Sequence, residues 1–134
     1  SLRTNAGILK AELNEKDLPG VFFRPHYFKP TFQKWANQVC GGVFIHVTDR
    51  AEFKSLLTGI AVIKAISKLF PEEFEWRKEP YEFVADRPAI DLLYGSKELR
   101  ELWLSPKHEL GDIEASWKDD RERFQEVRKK HLLY

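Results

Sequence analysis

Apolar residues recur along this chain with two different periods, and the switches between them mark its elements. From Ala6 to Lys16, Ile8, Leu9 and Leu13 fall at helical spacing, and the run stops at Leu18-Pro19-Gly20, where a Pro-Gly pair marks a turn. A short amphipathic helix is predicted there. Val21 to Phe28 is rich in β-branched and aromatic residues, but Pro25 cannot donate to a ladder, so an edge or interrupted strand is expected. Lys29 to Gln38 has no clean period and reads as a packed loop carrying Phe32 and Trp35.

After Cys40-Gly41-Gly42, the run GVFIHVTD alternates: Val43, Ile45 and Val47 on one face, Phe44, His46 and Thr48 on the other. Asp49 and Glu52 stand where the N-cap and N3 residues of a capping box would stand. They introduce a predicted helix of about 17 to 19 residues, with Phe53, Leu56, Leu57, Ile60, Ile63 and Ile66 apolar, ended by Pro71. Tyr81 to Asp86 alternates well enough for another strand, which would make a right-handed βαβ unit if it lay parallel to the preceding one. Pro88 at the first helical position and Gly95 just past the end bracket a short helix, and Ser96 can cap the next. Ile113, Trp117, Phe124 and Val127 form a narrow apolar stripe on a terminal helix from Gly111. The expectation is one α+β domain over residues 1–134, a small mixed sheet of about three strands packed with one long and several shorter helices.

Composition narrows the function classes. At 134 residues and 43% hydrophobic the chain can bury a core. Its 22 Lys and Arg nearly cancel its 21 Asp and Glu, so no basic field suited to nucleic acid is present. No apolar run approaches the roughly 18 to 20 residues of a membrane span. The single Cys40 cannot form an internal disulfide and, without a nearby Cys or His pair, cannot build a zinc site alone. No metal or cofactor is expected.

A set of uncommon residues at fixed spacing then points to a family. Leu18-Pro19-Gly20-Val21, Phe23-Arg24-Pro25, Phe28, Pro30, Lys34, Cys40-Gly41-Gly42 and His46-Val47-Thr48-Asp49-Arg50 together closely resemble the C-terminal part of the NamZ-type exo-β-N-acetylmuramidases. Gly59, Phe74 to Arg77, Ile90 to Leu93 and His131 to Tyr134 are similar to that family too. The resemblance implies an exported, extracytoplasmic parent protein with an N-terminal Rossmann-like catalytic domain. It implies removal of N-acetylmuramic acid from the non-reducing ends of peptidoglycan, in a cleft between the two domains. Partners would be that catalytic domain and muramyl sugars, and the cleaving carboxylates would lie outside this chain, which alone is expected to be inactive. Tyr134 resembles the family's natural end, which places the missing part on the N-terminal side.

No residue here is assigned a catalytic role, since no carboxyl pair of the kind that flanks a glycosidic bond stands out. The candidate substrate-binding residues are Arg24, Tyr27, His46, Thr48, Asp49 and Arg50. His46 and Thr48 share a strand face near its C-terminal end, where open α/β sheets bind ligands. The guanidinium of Arg24 or Arg50 suits a lactyl carboxylate, because a planar fork can donate two parallel hydrogen bonds; a surface ion pair is the ordinary alternative. Asp49 more simply satisfies helix-end donors. Tyr27, Phe28, Phe32 and Trp35 could stack on a pyranose, although large aromatics more often fill core, and that is the expectation here. Cys40 is expected to be a small buried residue. The competing function is a structural or protein-binding module that makes no sugar contact.

Overall fold

The computed structural model describes residues 5–133. Tyr134, and with it the reading of a natural chain end, lies outside the described residues. The chain divides into two compact units, Ser1–Trp76 and Arg77–Tyr134.

The first unit contains α1 (Ala6–Asn14), β1 (Val21–Phe28), β2 (Cys40–Val47) and α2 (Ser55–Leu69). Asn5 caps α1, its Oδ1 accepting from the N–H of Gly7 and Ile8 at 3.1 and 3.3 Å. Ala6, Leu9 and Leu13 face inward, while Ile8 lies outside the buried stripe. On α2, Leu57, Ile60, Ala61 and Ala65 make the corresponding stripe. α1 packs on both strands and on α2, and the core they enclose is centred on Phe23, Leu9, Leu13 and Ile60. Complete burial of a side chain such as Phe23 contributes about 1.5–3 kcal/mol.

The strands form one antiparallel hairpin, registered from Val21↔Val47 to Phe28↔Cys40. β1 runs unbroken through Pro25, paired with Val43, which a two-stranded sheet tolerates because each strand keeps an edge free of ladder bonds. Part of the β1 edge is closed by a side chain: Asn14 donates to the Phe23 carbonyl at 3.0 Å and accepts from its N–H at 3.1 Å. Asn14 thus substitutes for a neighbouring strand at that residue. Gly20 fixes the base of the hairpin. At φ +68° it occupies left-handed backbone, a Cβ there would collide with the Asp49 carbonyl, and its own carbonyl accepts from Thr48 and Asp49.

Three expectations are corrected in these regions. Asp49 does not start the long helix. Its Oδ1 accepts from Ala51 N–H at 2.8 Å and its carbonyl from Phe53, so residues 49–53 close a turn against Gly20 and α2 begins only at Ser55. No capping box forms there, because the backbone donors at that point are already used by the turn. Among the described residues the sheet has two antiparallel strands and no third: Tyr81 and Val84 bond to each other, at 3.2 and 3.1 Å, in a tight turn with Glu82 at φ +55°. With Pro80 and Pro88 close on either side, the segment is too short to find a partner, and Phe83 stands fully exposed. The βαβ unit therefore does not exist, although the α+β class holds.

The second unit contains α3 (Ala89–Tyr94), a π-helical turn (Leu99–Trp103), α4 (Leu110–Ser116) and α5 (Lys118–Lys129). Pro88 is the N-cap of α3, one position earlier than expected, and Gly95 at φ +89° ends it in left-handed backbone as expected. The Ser96 hydroxyl accepts from Glu98 N–H at 3.3 Å ahead of the π-helical turn. Among the described residues of this unit, the buried apolar ones are Ala89, Leu99 and Ile113. The expected single terminal helix is broken at Trp117, whose indole N–H donates to the Tyr94 hydroxyl at 3.1 Å. The apolar stripe loses its purpose beyond that point: Phe124 and Val127 are exposed, and α5 buries no residue.

Candidate functional site

Alternation along a strand sorts the hairpin into two faces. One carries Phe23, sunk in the core, together with Pro25 and Tyr27; the other carries Phe22, Arg24, His26 and Phe28. The register then decides which β2 residues join each set. Arg24 lies opposite Phe44, Phe22 opposite His46, and His26 opposite Gly42, so a band of rings and cations runs along the outward face.

Arg24 is the organising residue of that face. Its Nε–H donates to His46 Nε2 at 3.2 Å, and its guanidinium carbon lies 5.6 Å from the Phe44 ring centre, within cation–π range. A guanidinium has only donors, so His46 Nε2 must be the acceptor, which places the neutral imidazole's proton on Nδ1. Phe44 and His46 rings are 4.8 Å apart, and His26 lies 6.0 Å from both Phe44 and Phe28. Among the described residues no carboxylate pairs with Arg24, and its side-chain hydrogen bond is made by Nε, away from the terminal Nη edge. A planar fork oriented by two neighbours and open on one side matches a carboxylate.

The remaining candidates fall elsewhere. Tyr27 points to the opposite face of β1 from Arg24 and is more than half exposed. Thr48, Asp49 and Arg50 lie beyond the end of the ladder, where Thr48 N–H bonds the Gly20 carbonyl, and Asp49 is engaged in its own turn. Arg50 is exposed. From Arg24–Phe44, Thr48 is about 13 Å away along the strand, at the usual rise of roughly 3.3 Å per residue. Arg24 and His46 are thus brought into contact; Thr48 stands one same-face step beyond His46, roughly 7 Å at that rise, and among the described residues neither it nor Tyr27, Asp49 or Arg50 hydrogen-bonds to the pair. Phe44 and His26 complete the cluster without having stood out as site residues in the sequence. The signal for His26 was the period-two series Phe22, Arg24, His26, Phe28, visible once Pro25 is accepted inside a strand, and that for Phe44 was its place on the same strand face as His46.

The loop at the hairpin tip corrects the expectation for the aromatics. Tyr27, Phe28, Phe32 and Trp35 are 58, 50, 72 and 44% exposed and do not fill core. Gln33, Trp35 and Asn37 all hold left-handed backbone, φ +61 to +63°, a conformation that costs of order 1–3 kcal/mol in a non-glycine residue. The loop is held by Asn37 N–H to the Pro30 carbonyl at 2.8 Å and Gln38 N–H to the Trp35 carbonyl at 3.0 Å. Beside it lies an open hollow of about 440 Å³ lined by Phe28, Pro30, Trp35 and Cys40 and, from the two helices, by Leu9, Val62 and Ile66. Cys40 borders this hollow half-buried, its Sγ 3.8 Å from the Gln38 carbonyl, and is less enclosed than expected.

An antiparallel hairpin packed on α1, which in turn packs on α2, with an arginine fork on its open face, defines a small α+β domain in which, among the described residues, no carboxylate pairs with that fork. Residues 3–134 match the family described as exo-β-N-acetylmuramidase NamZ, C-terminal, and the chain belongs to that family. It is 37% identical over 130 residues to the peptidoglycan β-N-acetylmuramidase NamZ of Bacillus subtilis (strain 168), which covers 94% of this chain and 28% of that protein. A crystal structure of a DUF1343 family protein from Bacteroides fragilis NCTC 9343 superposes with a TM-score of 0.77 at 27% identity, over all of this chain and 34% of the other. The chain therefore spans about a third or less of the length of these relatives.

Proposed function

We propose that this chain is the substrate-gripping domain of an exo-acting, extracytoplasmic peptidoglycan hydrolase that releases N-acetylmuramic acid from non-reducing glycan ends. In this reading the hairpin face forms one wall of a cleft, and a catalytic domain on the same polypeptide supplies the other wall and the cleaving carboxylates. The observation that carries it is the Arg24 guanidinium, oriented by His46 and Phe44 with its Nη edge unpaired. Muramic acid differs from glucosamine by a lactyl ether, so a fork that binds the lactyl carboxylate, or the amide of an attached peptide, selects the muramyl unit. Membership of the family supports the substrate class.

In the complete enzyme, Arg24→Ala is expected to raise KM for muramides more than for glucosaminides. Equal increases for both would count against a lactyl contact. The chain alone is expected to release nothing from a chromogenic muramide.

One observation favours a second reading, in which this domain only docks another: Phe28, Phe32, Trp35 and Val39 expose apolar surface around the tip loop. That reading expects tight association with the catalytic domain in trans and no response to muramyl sugars.

A further inference from the structure

The two edges of the hairpin are not alike. Asn14 binds both the N–H and the carbonyl of Phe23, so those groups point away from β2. In an antiparallel ladder, opposite residues both turn their backbone groups inward in one pair and both outward in the next. Ile45, opposite Phe23, therefore turns its N–H and carbonyl to the free edge of β2, and Gly41, Val43 and Val47 follow by alternation. The inward bond from Thr48 N–H to the Gly20 carbonyl has the same phase. On β1 the outward row is closed by Asn14 at Phe23 and lacks a donor at Pro25. β2 holds no proline, lysine or carboxylate, and among the described residues its outward row has no backbone partner. Exposed edges are ordinarily guarded by such residues or covered, because an open row of donors and acceptors pairs with another extended chain.

The side chains along this edge are uncovered as well. Val43, Ile45 and Val47 share the inner face with Phe23, yet Ile45 and Val47 are 41 and 44% exposed where Phe23 is 1%. The hollow beside the tip loop borders the same strand: Gly41 and Val43 line it from β2, and Leu9, Val62 and Ile66 line it from the helices. An open backbone row next to an apolar recess is the arrangement that strand addition uses, with main chain bonding the edge and alternate side chains entering the recess.

We propose that the free edge of β2 is a strand-addition site, closed in the complete enzyme by an extended segment, apolar at alternate positions, of the polypeptide that flanks this domain. The proposal rests on the reading above only in placing further chain on the same polypeptide. This chain covers 28 and 34% of its two relatives, so most of their length lies outside it. A tethered segment meets the edge at high effective concentration and keeps it from pairing with other chains.

The test is amide hydrogen exchange, followed by NMR, in this chain and in the complete enzyme. In the chain, Val43, Ile45 and Val47 are expected to exchange fast, while Phe44 and His46, bonded to β1, are protected. In the complete enzyme the three outward amides are expected to slow by at least about tenfold. Ile45→Lys sets a charge beside the incoming strand at an exposed position, and should return Val43 and Val47 to fast exchange there while Phe44 and His46 stay protected. Fast exchange of the outward amides in the complete enzyme overturns the proposal, as does protection that survives Ile45→Lys. Protection already present in the chain overturns it too, and a rise with chain concentration would assign the edge to a second copy instead. Failure of the lactyl contact at Arg24 leaves these rates untouched, so the two readings fail separately.

Discussion

Two arginines, one in each unit, show opposite ways of holding a guanidinium. Arg100 in the second unit is closed: its Nε and Nη2 donate to the two oxygens of the buried Asp91 carboxylate at 3.0 and 2.7 Å, and Nη2 also reaches Glu101 at 3.3 Å. That fork links the π-helical turn to α3 and has little left to offer a ligand. Arg24 in the first unit is held from one side by a neutral imidazole and a ring, while its terminal edge faces outward unpaired. The same side chain is structural where an anion completes it and available where its orientation is fixed by neighbours that bring no charge.

Changes to each unit should separate these roles. The largest effect is expected from Gly20→Ala, which combines a disfavoured φ with a collision at the base of the hairpin. It should lower stability by roughly 2–4 kcal/mol in urea unfolding and weaken sugar binding as the strands shift. Asp91→Asn should have a smaller effect on stability, because Arg100 keeps one acceptor but loses the paired charge. It should leave sugar binding unchanged, and a loss of binding there would break the distinction between the two arginines.

Acid should act on the closed arginine in a defined direction. The hydrogen bonds from Arg100 hold the Asp91 carboxyl below its ordinary value of 3.8, against the opposing effect of burial. A lowered folded-state pKa means that the contribution is complete above about the ordinary value and is lost as pH falls through the folded one. Glu12 is held low in the same sense, mainly by the hydrogen bond from Lys68, whose Nζ lies 3.0 Å from both carboxylate oxygens. Unfolding midpoints measured below and above pH 3.8 should therefore fall on the acid side, with a shallower fall in Asp91→Asn. The smallest effect on stability is expected for Arg24→Ala, within about 0.5 kcal/mol of wild type as for other exposed positions. The same substitution should weaken muramyl binding by about tenfold.

How far these features were legible in the sequence follows from what each depends on. α1 and the body of α2 were readable because helical spacing and burial coincide, as at Leu9 and Leu13 and at Leu57, Ile60 and Ala61. The turn glycine at 95 was readable because only its local conformation matters. Tyr81 to Asp86 misled because alternation signals a strand only where a partner exists to pair with it. Asp49 misled because a side-chain cap on a turn and one on a helix look alike until the Gly20 contacts are known. The pairing of Arg24 with His46 depends on hairpin register across 22 positions, which a linear pattern does not contain. The terminal helix was split by a tertiary bond, Trp117 to Tyr94, equally invisible in periodicity.

The central claim, that the open edge of Arg24 receives the muramyl carboxylate, is tested most directly by following the Arg24 Nε–H signal while the chain is titrated with N-acetylmuramic acid or N-acetylglucosamine. A saturable shift with the muramyl sugar and none with the glucosamine is the predicted result. An unchanged signal, or the same shift with both sugars, would contradict it.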